Sequence, residues 1–307
     1  MDIYLPIAEV SVNAPLIVAL GLFVGFISGM FGIGGGFLMT PLLVVFGIPP
    51  AVAVGSMSNH VAASSMSSVI SYGRRRAVDF RMGAVLAAGG VAGAFAGVEL
   101  FRWLRLLGQA DLVVAVSYLV FLSVIGGLML TESLGAILRR RRGEGPPPRR
   151  DRRPPWLYGL PLKMRFPRSR LYISVIPPLA LGAFVGVLSA IMGVGGGFVL
   201  VPAMVYILRM PASVVVGTSL MQIIVTATLT GVLQAGRNQT VDIVLATLLL
   251  IGGIVGAQYG ARASARFRAE ELRAVLAIMV LLVGLRMGLG LFVAPAEAFV
   301  LMQGAAG

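Results

Sequence analysis

One apolar segment of this chain carries polar side chains at regular spacing. Ser56, His60 and Ser64 recur every four residues and therefore share one helical face, with Asn59 and Ser67 beside it. Hydroxyl, amide and imidazole groups in an apolar helix can bind a polar solute or carry a proton. His60 is the candidate for proton transfer because imidazole titrates near neutral pH, and a neutral hydrogen-bonding role is the alternative.

A second segment repeats this pattern 162 residues later. Thr218, Gln222 and Thr226 lie on the equivalent face, with Ser219 next to them. Hydroxyl groups in membrane helices often bond to a neighbouring helix, and this interpretation stays open for the serines and threonines. For Asn59, His60 and Gln222, larger groups on matched faces, we favour the lining of a cavity.

Three consecutive glycines occur twice, in MFGIGGGFLMTP from Met30 and in IMGVGGGFVLVP from Ile191. The apolar segments that follow, 36–47 and 197–208, are long enough for only about 18 Å of helix, roughly half a bilayer. We therefore predict glycine turns near mid-depth, each opening a half-length helix. The candidate residues are Gly34, Gly35, Gly36 and Phe37, with Gly195, Gly196, Gly197 and Phe198.

Such turns are suited to anions. Glycine lets a ligand approach the backbone, and the first N–H groups of a helix are unpaired and carry the positive end of its dipole. The alternative is that glycine only permits close helix packing. That alternative fits better the glycines spaced four residues apart, which are Gly21, Gly25 and Gly29, Gly89, Gly93 and Gly97, and Gly252, Gly256 and Gly260.

The composition indicates a polytopic helical membrane protein. Of 307 residues, 58% are hydrophobic and 12% charged, about half the charged share of a soluble domain. With no Cys and one His, the chain lacks the usual ligands of zinc and haem sites, so we expect no metal or cofactor. The N-terminal MDIYLPIAEV lacks the basic region of a signal peptide, so we expect the first apolar segment to be retained.

The chain is a duplication of one unit of five apolar segments. Matches at offsets of 161 to 163 residues pair the glycine motifs, Pro49 with Pro211, and Asp79 with Asp242. The predicted segments are 15–31, 36–47, 50–72, 79–102 and 111–130, then 172–192, 197–208, 211–235, 241–263 and 271–293. The predicted domains are an N-terminal segment 1–14, repeat 15–130, linker 131–171, repeat 172–293 and tail 294–307.

The positions of the arginines predict the orientation. The linker region from Arg139 to Arg170 holds 12 of the 25 basic residues. We interpret this cluster as the mark of a cytoplasmic loop, in preference to a surface that binds nucleic acid or lipid. With the first two segments as a hairpin, all but four basic residues fall on the cytoplasmic side and both termini lie outside. Each repeat then crosses the membrane an odd number of times, so the repeats are inverted, as in many secondary transporters.

Four other polar residues receive structural interpretations. Asp79 and Asp242 follow turns and precede helices, which is typical of helix N-caps. Glu99 and Gln258 lie near the glycine-rich fourth segments, and we interpret them as helix-end or packing residues.

The duplicated GxGGGF motif, followed by Pro and a G[ST]S-like segment, resembles the TauE/SafE (TSUP) family of sulfite and organosulfonate exporters. The motifs are FGIGGGFLMTP, MGVGGGFVLVP and VGTSL at 216–220, and the resemblance is most specific over 15–102 and 178–263. VGSMS at 54–58 matches less closely, and SNH at 58–60 departs from the family pattern, which leaves the substrate open. The resemblance implies a plasma-membrane carrier of sulfite, sulfonates or thiosulfate.

Two other classes of function compete with a transporter. Ser56 or Ser64 with His60 could form the dyad of an intramembrane enzyme, but no GxSxG elbow or third orienting acid accompanies them. A cation or proton channel would require carboxylates in mid-span, where the sequence has none. We therefore expect no enzyme activity and no nucleic-acid partner, with the bilayer and a small anion as partners. Uptake of another oxyanion and assembly into a homo-oligomer remain open.

Overall fold

The computed structural model describes residues 2–31, 35–74, 77–141, 161–263 and 269–292. The described residues form ten α-helices and two small β-hairpins, so the protein is an all-α polytopic membrane protein with minor β-structure. The first half contains β1 (Asp2–Leu5), β2 (Val10–Asn13), α1 (Ala14–Phe31), α2 (Gly36–Val45), α3 (Pro50–Arg74), α4 (Phe80–Leu106) and α5 (Ala110–Arg141).

The second half repeats this order. It contains β3 (Lys163–Phe166), β4 (Leu171–Ser174), α6 (Ile176–Met192), α7 (Gly197–Tyr206), α8 (Ala212–Leu233), α9 (Ile243–Ala263) and α10 (Ala269–Phe292), with a π-helical turn, Gln234–Asn238, after α8. Five helices of the described chain are long and apolar enough to cross a bilayer. The half-length helices are confirmed, since α2 and α7 have 10 residues each.

Two boundaries differ from the sequence prediction. The predicted linker, 131–171, begins as helix, because α5 continues to Arg141. The end of the predicted linker folds into the hairpin β3–β4, and the predicted N-terminal segment folds into the hairpin β1–β2. Residues 142–160 of the linker and the tail 294–307 lie outside the described residues.

The chain divides into two compact units. One comprises Met1–Val114 with Pro147–Phe267, and the other comprises Ala115–Pro146 with Arg268–Gly307. The first unit holds both hairpins, both glycine turns and helices α1–α4 and α6–α9. In the second unit α5 and α10 pack antiparallel, with Gly126 against Leu281 and Gly288 against Leu119.

Glycines bring helices of the two halves into direct contact, which confirms the packing interpretation for the glycines at four-residue spacing. Gly21 lies against Leu249 and Gly29 against Ala257, so α1 and α9 run parallel. In the same way Gly89 lies against Leu179 and Gly97 against Val187, so α4 and α6 run parallel as well. A Cβ at any of these glycines would collide with backbone of the facing helix, and the close approach therefore depends on glycine.

Helices α3 and α8 cross in the opposite sense. In the first half of α3, Asn59 lies against Gly231 near the end of α8, whereas Tyr72 near the end of α3 packs in one cluster with Leu220 in the first half of α8. These two helices are therefore antiparallel, and they carry the polar faces identified in the sequence.

The hairpins dock on the two N-cap aspartates, which confirms the capping interpretation. Asp79 accepts a hydrogen bond from Met82 N in its own helix, α4, and its Oδ2 accepts from Ser169 N and Ser169 Oγ at 2.8 and 2.6 Å. Asp242 accepts from the first turn of α9 and, through Oδ2, from Ile7 N at 3.0 Å. Each hairpin thus holds the start of the fourth helix of the other half.

Candidate functional site

The two glycine turns form the N-termini of α2 and α7. Gly35, the N-cap of α2, has φ 65°, and Gly195 and Gly196, before α7, have φ 71° and 73°, a region that residues with a Cβ rarely adopt. Because the N-caps are glycine, no side chain caps the first N–H groups of either helix. Gly34 lies outside the described residues.

The turns contact each other. The rings of Phe37 and Phe198 stack with centroids 5.9 Å apart and an interplanar angle of 20°. A Cβ added to Gly36 would lie 2.7 Å from the carbonyl oxygen of Gly193. The starts of α2 and α7, with Gly36 and Gly197 as their first helical residues, are therefore side by side and buried.

Two apolar residues that sequence reasoning missed complete this contact. Val61 of α3 and Ile223 of α8, which correspond at an offset of 162, both contact the position of Gly195, and Val61 also lies 2.8 Å from a Cβ built on Gly36. Each directly follows a polar residue of the predicted site, His60 or Gln222. The place where the turns meet is therefore packed with apolar side chains in this conformation.

Buried hydroxyl groups near the turns were also missed. Ser28 Oγ lies 3.3 Å from a Cβ built on Gly35, and it has no hydrogen-bond partner among the described residues. Oγ of Ser189, its counterpart in α6, and Oγ1 of Thr40 in α2 also have no hydrogen-bond partner among the described residues. A buried hydroxyl normally finds a partner, so these groups mark a place where a polar ligand is expected. The match of Ser28 with Ser189 at the glycine offset was the available signal.

His60 lies at the contact of α3 with α9. Its Nδ1 is 2.9 Å from the carbonyl oxygen of Leu249, and its ring fills the space that a side chain at Gly253 would occupy. The ring is fully buried, and Nε2 has no partner within the described chain.

Gln222 has the corresponding place between α8 and α4. Its Nε2 donates to Thr226 Oγ1 at 3.3 Å, and the amide lies against Gly90. Thr226 Oγ1 donates its own hydrogen to the Gln222 carbonyl, so it must accept from the side-chain nitrogen. Gln222 Oε1 is consequently the free end of the amide, buried and without a partner among the described groups.

Three other predicted site residues serve helix packing. Ser56 Oγ accepts from Asp242 N, and Thr218 Oγ1 accepts from Asp79 N, both at 2.9 Å. Ser219 Oγ donates to Val216 O in its own helix. Ser56 and Thr218 thus bond to the other half of the chain, as the helix-bonding interpretation expects, whereas Ser219 bonds within its own helix.

Asn59 has a different environment again. It is half-buried and lines a lateral groove together with Ala62, Thr228 and Leu250, on α3, α8 and α9. Its side-chain oxygen lies against Gly231. The structure therefore places Asn59 in a groove that the stacked phenylalanines do not line.

Glu99 forms ion pairs with Arg237 at 2.9 Å and with Arg102 at 3.5 Å. All three side chains are about half exposed, and the first pair joins the end of α4 to the π-helical turn after α8. Gln258 is exposed on α9. Glu99 lies seven residues before Leu106, the last residue of α4, and its interpretation as a helix-end or packing residue stays a prediction.

The geometry does not form a hydrolytic dyad. His60 Nδ1 bonds to the Leu249 carbonyl, Ser56 accepts from a backbone N–H, and Ser64 Oγ donates to Val61 O. The site contains the N-termini of two half-helices, each equivalent to about half a positive charge. Buried hydroxyl groups without a hydrogen-bond partner among the described residues lie on α1, α2 and α6. Such a place can hold a small anion without a charged side chain.

Comparison with known proteins agrees with this description. A sequence model described as "Sulfite exporter TauE/SafE" matches residues 17–287. The chain belongs to the TauE/SafE family. Members of this family are membrane transporters rather than enzymes, and the multi-pass helical architecture is that of a membrane transporter.

Curated relatives of this TauE/SafE chain are named as transporters. A "Probable membrane transporter protein YjnA" of Bacillus subtilis is 29% identical over 277 residues, covering 88% of this chain and 98% of the relative. A "Probable membrane transporter protein" of Xylella fastidiosa is 29% identical over 85% of this chain and 90% of its own length. A "Sulfite exporter TauE/SafE family protein 3" of Arabidopsis thaliana is 29% identical over 39% of this chain and 26% of the relative. No solved structure matches the chain.

Proposed function

We propose that this protein exports small sulfur-containing oxyanions, such as sulfite, sulfonates or thiosulfate, across the plasma membrane by alternating access. The observation that carries the proposal is the contact between the two glycine turns, where Phe37 and Phe198 stack and both half-helix N-termini lack a side-chain cap. The family supports a transporter, and the geometry favours an anion as its cargo.

The groups available suit a sulfur oxyanion. A sulfonate or sulfite presents three oxygen acceptors, which the first N–H groups of α2 and α7 can bind together with Ser28 and Ser189. Helices α1, α2, α6 and α7 contain no Arg or Lys. Binding through backbone dipoles and hydroxyls keeps the anion releasable, as a carrier requires.

We further propose that the two halves are inverted repeats with both termini outside and the linker in the cytoplasm. The antiparallel crossing of α3 and α8 supports this arrangement, as do the matched hairpins on Asp79 and Asp242. The apolar contact of Val61 and Ile223 with the turns must open for an anion to enter. Rocking one repeat against the other opens it from either side of the membrane.

Uptake of sulfite, thiosulfate, methanesulfonate, phosphate and acetate into proteoliposomes tests the proposal. We expect saturable transport of at least one sulfur oxyanion and none of acetate. Transport of phosphate alone would favour the second candidate, a carrier for another oxyanion. Protein that unfolds cooperatively yet moves none of the five anions would contradict the proposal.

A further inference from the structure

The tautomer of His60 is set by its neighbour. A backbone carbonyl can only accept, so the contact of Nδ1 with Leu249 O at 2.9 Å places the hydrogen of the neutral ring on Nδ1. Nε2 therefore carries a free lone pair. It is buried and lacks a partner among the described residues, so it is available to accept a proton.

No charged side chain of the described residues lies within hydrogen-bond distance of this lone pair. Four of the helices that pack along α3, namely α1, α2, α6 and α8, contain no ionisable residue. On α9 the ionisable residues are Tyr259 and Arg262, six and nine positions beyond Gly253 and both exposed. Its N-cap, Asp242, is a buried carboxylate seven positions before Leu249, and it already accepts hydrogen bonds from the backbone N–H groups of Ile7, Val244 and Leu245. On α3 itself the ionisable residues are Tyr72 and Arg74, at its far end. A proton on Nε2 would therefore create a buried charge with no counter-ion in hydrogen-bond contact among the described residues.

The proposed anion also lacks a full counter-charge in its site. The glycine turns offer partial charges only, and both contact Val61, the residue that follows His60 in α3. A buried cation and a buried anion stabilise each other, since their attraction is weakly screened inside the membrane. Each therefore raises the affinity of the site for the other.

We propose that the protein moves its anion together with one proton, carried on Nε2 of His60. This inference rests on the proposed anion transport. The proton comes from water on the side where the anion enters, binds the Nε2 lone pair and returns to water where the anion leaves. Gln222, at the equivalent place in α8, cannot bind a proton in this way, so the protein carries one proton with each anion. Transport of a monovalent anion is then electroneutral.

Proteoliposomes that contain the pH indicator pyranine test this with methanesulfonate, a monovalent anion at any accessible pH. For the wild type we expect internal acidification with uptake, and a rate that a valinomycin-imposed potassium potential changes less than twofold. His60→Gln introduces the residue that the chain itself uses at 222. We expect this variant to take up the anion without acidification and with a rate that follows the potential.

Ser67→Ala is the matched control, because Ser67 also bonds across the α3–α9 contact, to Ile254 O, yet cannot bind a proton. It should acidify the vesicles like the wild type. Wild-type uptake that follows the potential without acidification would overturn the inference even if His60→Gln did not fold, and so would acidification by His60→Gln. Absence of uptake of any oxyanion by the wild type would instead overturn the proposed function.

Discussion

The rings of Phe37 and Phe198 stack across the two halves of the chain, 161 residues apart, directly after the glycine turns that begin α2 and α7. Each phenylalanine is the second residue of its half-helix. Their stacking therefore shows that the two positive helix ends lie close together. Two like dipole ends repel unless something negative lies between or beside them. The close approach of the two positive helix ends therefore favours the binding of an anion beside them.

Replacing Ser28 with Ala removes the hydroxyl beside Gly35 and should weaken anion binding. A hydrogen bond to a charged group contributes about 1.5–3 kcal/mol, so we expect affinity to fall by about tenfold or more. Anion-induced thermal shift on purified protein measures this. Ser133→Ala is the control, because Ser133 is also a buried serine without a partner among the described residues but lies in the other compact unit. Equal affinity in both variants would remove Ser28 from the site.

Replacing Gly196 with Ala should destabilise the fold as well as impair transport. The left-handed backbone, φ 73°, costs a residue with a Cβ about 1–2 kcal/mol, and the added atom would collide with Val185. We expect a lower melting temperature, partly restored in the double variant with Val185→Ala. Gly127→Ala, a helical glycine whose Cβ would meet open space, should leave the melting temperature equal or higher. A Gly196→Ala melting temperature like that of the wild type would argue against a strained turn.

Removing the hydroxyl of Ser169 tests the docking of the second hairpin. Ser169 Oγ donates to the buried carboxylate of Asp79 at 2.6 Å, and loss of a bond to a charged group costs about 1.5–3 kcal/mol. Ser169→Ala should therefore lower the melting temperature. Ser11→Ala changes an exposed position of the other hairpin and should have no effect. If both variants melt like the wild type, the hairpin does not secure α4.

Neutralising Glu99 should have a small effect that depends on salt. Its ion pair with Arg237 is about half exposed, and exposed pairs contribute less than about 1 kcal/mol. We expect Glu99→Gln to melt slightly earlier than the wild type at low salt and at the same temperature in 1 M salt, where charges are screened. A difference that persists in high salt would show that Glu99 acts through packing.

The sequence was most informative where composition and spacing act locally. Long apolar segments predicted the helices because only helices satisfy the backbone within a bilayer, and the length of the segment after Gly36 predicted the half-helix. The hairpins escaped notice because strands of four residues have almost no periodicity. Pro6 and Pro167, which open their turns, do match at the offset of 161 and were the available signal.

The partners of individual polar residues could not be predicted. A helical face tells which side chains point together but not which helix they meet. The sequence predicts Ser56 and Thr218 beside an anion, and in the structure each accepts a hydrogen bond from the N-cap residue of a helix in the other half. Such pairings depend on how the two halves pack, which spacing within one helix does not encode.

The most direct test of the account is to locate the anion. A structure of the protein in a lipid environment with selenite, a heavier analogue of sulfite, would show its position by anomalous scattering. We predict a peak between the turns, in contact with the backbone N–H groups of Gly36 and Gly197 and with Ser28 Oγ. A selenite peak elsewhere, with Phe37 and Phe198 still stacked at full ligand occupancy, would contradict the proposed site.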